Sequence, residues 1–186
     1  MIQIGASPAT IDAPIEHLMA CHRRIEQRLE TLVKAASHLE TDRTSALAAI
    51  AHSLHFLDSS GGLHTEDEEN SLFPRLRKKL SSDRIAYLDS LEAQHSEAES
   101  ILYRLKELVS AARRQDPIPG DLIEHYRNAA EALSSLYGAH IRSEDEVLVA
   151  LARQFLDSPD LSEITREMRE RRAEPIAPTV RRRPAS

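Results

Sequence analysis

Tryptophan is absent from this 186-residue chain, phenylalanine occurs 3 times, tyrosine 4 times and glycine 5 times. So few aromatic residues, set beside ample leucine and alanine, disfavour strands and favour helices. There is one cysteine, Cys21. That excludes an intramolecular disulfide and points to a reducing compartment. No apolar run is long enough to span a bilayer. Nor does the N-terminus carry a basic region followed by an apolar stretch, so no signal peptide is expected. Positive charge is not in excess: the formal net charge is -6, which argues against a nucleic-acid binder. The expectation is a cytoplasmic protein of one domain, long enough to bury a core, with no nucleic-acid or membrane partner.

What is present is helical periodicity. Ile15, Leu18, Met19, His22, Ile25, Leu29 and Leu32 recur at three-and-four spacing, predicting an amphipathic helix over 13–39, with Asp12 as its N-cap and Pro14 in its first turn. A second helix begins near Asp42 and Thr44. Ser59-Ser60-Gly61-Gly62 should kink or interrupt it before it resumes through His64 and Glu68 to Pro74, with a further short turn over 76–80. Ser82 or Asp83 caps a third helix reaching about Arg114, and a fourth runs from about Asp121 to Ser158-Pro159-Asp160. A short last helix covers about 161–172. Residues 1–12 read as a flexible N-terminus and 173–186, with Arg181-Arg182-Arg183, as a disordered tail. Four long amphipathic helices with short connections predict an all-α fold, an antiparallel up-down-up-down four-helix bundle with a short C-terminal helix, over residues 13–172.

Of the nine histidines, His22, His64, His95 and His140 stand one on each predicted long helix. Each has a glutamate four residues on: Glu26, Glu68, Glu99 and Glu144. Positions four apart share a helix face, so an imidazole nitrogen and a carboxylate oxygen reach one point, as a borderline metal cation requires. The pattern also repeats. His64-x-x-x-Glu68-x-x-x-Leu72 recurs as His140-x-x-x-Glu144-x-x-x-Leu148, and His22, Glu26, Leu29 recurs as His95, Glu99, Leu102. Two helix hairpins related by a pseudo-two-fold would set all four histidines around one axis, an arrangement suited to two ions bridged by shared carboxylates. Within the acidic run 66–69 the face of His64 selects Glu68, and most of that run is expected to be solvated. After His140 both Glu144 and Asp145 are available, Glu144 having the better phase. Tyr137, one turn before His140, is either a neighbour of the site or simply core. Cys21 points away from His22 and reads as packing. Imidazole–carboxylate sites accept manganese and zinc as well as iron, so the spacing leaves the metal open.

From about Pro14 to Arg172 the chain resembles the hemerythrin, or HHE cation-binding, family. The resemblance rests on Cys21-His22-Arg23-Arg24-Ile25, on His64-x-x-x-Glu68 with Leu72-Phe73-Pro74, on Gln94-His95, on His140-x-x-x-Glu144, and on a last helix with Met168 and Arg171-Arg172. It implies a non-haem centre of two iron ions in the bundle core, bridged by an oxo or hydroxo group. The metal residues expected are His22, His64, Glu68, His95, Glu99, His140 and Glu144, with Glu68 and Glu144 as bridges. Oxygen-carrying members have a histidine where this chain has Glu99. The His-x-x-x-Glu of its last long helix matches bacterial hemerythrin-like proteins, including iron-centre repair proteins.

The leading expectation is therefore a di-iron protein that binds dioxygen, nitric oxide or peroxide in its core, with an electron donor the sequence does not identify. The first alternative is a di-iron enzyme acting in peroxide removal, ferrous oxidation or iron-centre repair. The second is an iron or gas sensor or interaction module.

Overall fold

The computed structural model describes residues 13–173, and among them there are helices and no strand. Helix α1 spans Pro14–Ala36 and α2 Arg43–Phe56. A π-helical turn at Leu57–Gly61 leads without a break into α3, Gly62–Asp67. A second π turn, Glu68–Leu72, leads into α4, Phe73–Arg77. Helix α5 runs from Ser82 to Arg113 and α6 from Gly120 to Ser143. A third π turn at Glu144–Leu148 continues α6 into α7, Val149–Phe155, and α8 spans Ser158–Ala173.

Local chemistry accounts for most of these limits. Pro14 opens α1, where its missing N–H costs nothing. The residue that caps this helix is Ala13, without a side-chain hydrogen bond. Asp12, expected in that role, lies outside the described residues, as do the segments expected to be flexible or disordered up to residue 12 and from 174. Asp42 caps α2 as expected, its carboxylate accepting from the Ser45 N–H at 3.2 Å. Helix α5 begins after Ser81, one residue before the expected cap, with no side-chain hydrogen bond to it. Its last carbonyls are met from outside: Arg43 donates to the carbonyls of Ala112 and Arg113 at 3.4 and 3.1 Å.

The interruption expected at Ser59 to Gly62 does not occur. Gly61 and Gly62 keep helical φ values of -64° and -58°. The chain widens into a π turn, which keeps backbone groups bonded within the helix. Pro74 is accommodated in the same way. The Phe73 N–H just before it bonds to the Glu68 carbonyl five residues back, and the wider turn relieves the clash a proline ring makes in a regular α-helix.

Helix α1 packs on α2 and α6, and α5 packs on α2 and α6, a ring consistent with a four-helix bundle. The apolar core falls into two clusters. One includes Ile25, Leu29, Leu32, Ile50, Leu105 and Leu133. The other includes Leu18, Leu72, Phe73, Leu91, Leu148 and Ile164. Along each rod the chain passes from one cluster to the other across a buried histidine. A polar layer therefore divides the core. Helix α8 closes one side of it, against α1, α3 and the π turn at Glu68–Leu72. No described helix is long and apolar enough to cross a membrane.

The acidic run 66–69 is less solvated than its composition suggests. Asp67 and Glu68 are both wholly buried. Asp67 can be so because α8 supplies two cations. Arg171 Nε donates to it at 2.9 Å, and Arg172 donates through Nη1 at 3.1 Å and Nη2 at 2.6 Å. Arg171 also donates to the Ser71 hydroxyl. Arg75 grips Glu167 of α8 with two bonds, at 3.0 and 2.8 Å, the two-pronged geometry that suits guanidinium and carboxylate.

Candidate metal centre

Six side chains meet in the polar layer: His22 from α1, His64 from α3, His95 from α5, His140 from α6, and Glu68 and Glu144 from the first positions of two π turns. All six are buried. Each rod contributes its histidine because the same residues that pack the two apolar clusters fix its rotation. The ring of His22 meets that of His64 edge-on, with centroids 4.8 Å apart, and His95 meets His140 likewise at 4.6 Å.

The glutamates lie between the two histidine pairs. Glu68 reaches His64 Nε2 at 3.5 Å, His95 Nε2 at 3.4 Å and His22 Nε2 at 3.9 Å. Glu144 reaches His22 Nε2 and His140 Nε2, each at 3.2 Å. Two donor groups result. His22, His64, Glu68 and Glu144 form one, and His95, His140, Glu68 and Glu144 form the other, with the donor atoms of each within 4.8 Å of one another. Both glutamates belong to both groups.

The outer ring nitrogens are engaged separately. Nδ1 of His22 donates to Asp145 at 2.8 Å, Nδ1 of His95 to Glu69 at 2.9 Å, and Nδ1 of His140 to the Gln94 side-chain oxygen at 2.8 Å. A hydrogen on Nδ1 leaves Nε2 free to present its lone pair inward, and an anionic partner makes that nitrogen a stronger donor. Of these partners, Glu69 belongs to a run whose composition predicts mostly solvated side chains, and Asp145 stands in the sequence as an alternative ligand to Glu144. The signal was positional: Asp145 and Glu69 each directly follow one of the two buried glutamates.

Burial disfavours charge on these rings, yet three of them are driven the other way by the glutamates. Against the cost of burial, Glu144 and Glu68 push His22 up to about 11. Against the same cost, Glu68 and Glu69 push His95 up to about 10, and Glu68 is the chief influence that lifts His64 to about 9. Glu68 is held well below the usual carboxylate range, because His64, His22 and His95 together outweigh its burial. The metal-free centre thus keeps protons where a cation would sit. His95 Nε2 and His140 Nε2 are 3.0 Å apart, so one of those two nitrogens must offer a lone pair.

A cation fits these residues. Both carboxylate oxygens of Glu68, both of Glu144 and His22 Nε2 are buried without a well-formed hydrogen bond. Native interiors rarely tolerate so many orphaned acceptors in one place. Neutral imidazoles with carboxylates suit a borderline metal ion.

Of the seven residues the sequence placed in the ligand set, the structure brings six together. Glu99 is the exception: it is exposed on α5 and belongs to neither group. The reason is helix phase. On α1 and α5 the buried position after the histidine is three residues on, Ile25 and Ala98. The residue four on, Glu26 or Glu99, is rotated to the surface. On the other two rods the buried stripe steps by four and includes Glu68 and Glu144. Tyr137 stands edge-on to His140 with ring centroids 6.0 Å apart, and burial raises its phenol. A surface cleft lies elsewhere, between α4 and α8, lined by Arg75, Lys78, Asp160 and Glu167 among others.

Residues 13–152 match the sequence model of the hemerythrin HHE cation-binding domain. An uncharacterized protein of Haemophilus influenzae is 31% identical over 170 residues, covering 88% of this chain and 92% of the relative.

Proposed function

This chain belongs to the hemerythrin HHE cation-binding family, and on that premise we propose that it is a non-haem di-iron protein. In this reading four antiparallel helices, up-down-up-down, enclose a centre that takes up dioxygen, nitric oxide or peroxide. His22 and His64 would hold one ion and His95 and His140 the other, with Glu68 and Glu144 available to both. Two iron ions bound there supply electrons and an exchangeable coordination position for the small ligand.

The chain's own residues do the rest. Asp145, Glu69 and Gln94 fix three of the rings with Nε2 inward. The two apolar clusters exclude bulk water from both ends of the polar layer. Formal charge also balances. Two divalent ions bring four positive charges, against four carboxylates at Glu68, Glu144, Glu69 and Asp145 that touch the histidine rings.

The observation that carries this reading is the pair of buried two-histidine, two-glutamate groups sharing both glutamates. The test is to load the metal-free protein with ferrous iron without air, remove excess iron, and then admit oxygen. Two irons retained per chain and a new near-ultraviolet charge-transfer absorption are expected. Failure to retain iron refutes the reading.

A second reading, an enzyme acting on peroxide or ferrous iron, is favoured by the exclusion of Glu26 and Glu99. Two histidines and the common carboxylates would then hold each ion, which would leave room for exchange on both. Repeated turnover of peroxide by the iron-loaded protein supports this reading; a single stoichiometric event supports the first.

A further inference from the structure

Most contacts of the centre repeat under one exchange, α1 with α5 and the α3 rod with the α6 rod. His22 corresponds to His95, His64 to His140, Glu68 to Glu144 and Glu69 to Asp145. The outer hydrogen bonds obey it. His22 Nδ1 bonds the residue after Glu144, and His95 Nδ1 bonds the residue after Glu68. The backbone obeys it as well: Phe73 N–H bonds the Glu68 carbonyl and Val149 N–H the Glu144 carbonyl.

One correspondence remains. His140 Nδ1 bonds Gln94, the residue before His95. The exchange carries Gln94 to the residue before His22, which is Cys21, and carries His140 to His64. Nδ1 of His64 is buried without a well-formed hydrogen bond. The Cys21 thiol is buried too. After burial itself, His64 is the leading influence on that thiol.

We propose that Cys21 is a positioning residue for the metal centre, its sulfur accepting the Nδ1–H of His64 as the Gln94 oxygen accepts that of His140. The proposal rests on the di-metal reading of the centre. A ring that ligates a cation through Nε2 must carry its proton on Nδ1, and a buried N–H without an acceptor is costly. Sulfur is a weaker acceptor than an amide oxygen. The two halves are therefore unequal, and the ion on His22 and His64 is the more weakly held.

Cobalt(II) titration of the full-length, metal-free protein tests this. The wild type is expected to take two ions in two unequal steps. Cys21→Ala weakens the weaker step by about 10–100-fold, the usual effect of removing an outer partner of a metal-bound histidine, and leaves the other step unchanged. Cys21→Ser, whose hydroxyl is an acceptor, restores it. Gln94→Ala weakens the opposite step. Unchanged steps in Cys21→Ala, or equal losses in the Ala and Ser variants, overturn the proposal. A two-bond proton–nitrogen spectrum of the metal-free protein gives a readout independent of cobalt. The His64 Nδ1–H signal is expected to shift in Cys21→Ala and return in Cys21→Ser, and its indifference to both overturns the assignment. If the wild type binds no cobalt, the di-metal reading fails, while the ring spectrum still decides the role of Cys21.

Discussion

Loading this centre must expel protons, and that makes metal affinity depend steeply on pH. In the metal-free fold His22 is pushed up to about 11, His95 to about 10 and His64 to about 9. All three are charged near pH 7.5, and each has its Nε2 where a cation would bind. For His64 alone, removing a proton held about 1.5 units above the working pH costs about 2 kcal/mol. The rings interact through shared glutamates, so they titrate as a set. The expected release is about two to three protons per chain as the centre fills. Calorimetric titration with cobalt(II) in buffers of different ionisation enthalpy counts those protons. Affinity should rise tenfold or more per pH unit between pH 7 and 9. A slope of zero in that window would refute the charge assignment and the convergence of these rings on a metal position.

The same shifts set the stability of the metal-free fold, with opposite signs for base and acid. A raised histidine contributes stability that is fully present below its unfolded value of 6.5 and is lost as pH rises through its folded value, here about 9 to 11. Glu68 has a depressed folded value. Its contribution is present above its unfolded value of 4.5 and is lost as pH falls through the folded one. The metal-free protein should therefore be most stable between about pH 4.5 and 6.5 and lose stability as pH rises towards 9 and beyond, and urea denaturation across pH reads this directly.

Four further outcomes are expected. Glu68→Ala removes a carboxylate common to both groups and should cost both ions, whereas His95→Ala should cost one; metal analysis after desalting separates them. Glu99→Gln should leave metal content unchanged, because Glu99 is exposed and outside both groups. Replacing Arg171 and Arg172 together by alanine strands the wholly buried Asp67 carboxylate; breaking a buried pair this way costs about 3–5 kcal/mol, seen as a lower urea midpoint at constant slope. Deleting exposed Glu146 from the π turn at Glu144–Leu148 rotates α7 by about 100° relative to His140 and Glu144, so metal capacity should fall while helical circular dichroism persists.

The helices and the histidine quartet were legible in the sequence because both depend on periodicity, and burial of four apolar stripes enforces periodicity. The order of the ring and the two apolar clusters meeting at the histidines follow from the same stripes. Less legible was which glutamate of each His-x-x-x-Glu pair turns inward. Four residues advance about 400° on a helix, and three advance about 300°, so positions three and four on from a histidine flank its direction almost equally. Packing chooses between them. On α5 the stripe continues Leu91, His95, Ala98 and Leu105, and Glu99 is left outside. The burial of Asp67 was illegible for a different reason: its cations arrive from α8, about a hundred residues away, and no local pattern announces them.

The repeated His-x-x-x-Glu-x-x-x-Leu carries more information than a pair of ligands. Two successive steps of four overshoot a regular α-helix by about 80°. A straight α-helix that aimed His64 and Glu68 at the centre would therefore swing Leu72 away from the core. Leu72 and Leu148 are nonetheless almost wholly buried. They are so because a π turn, with more residues per turn, begins at each of the two glutamates. On α1 and α5 the buried stripe steps by three from the histidine, to Ile25 and to Ala98, so these helices need no such turn and have none. The spacing thus separates the rods that bring a carboxylate from the rods that bring a histidine alone, and the π turn lets one rod serve both the metal position and the apolar cluster beyond it.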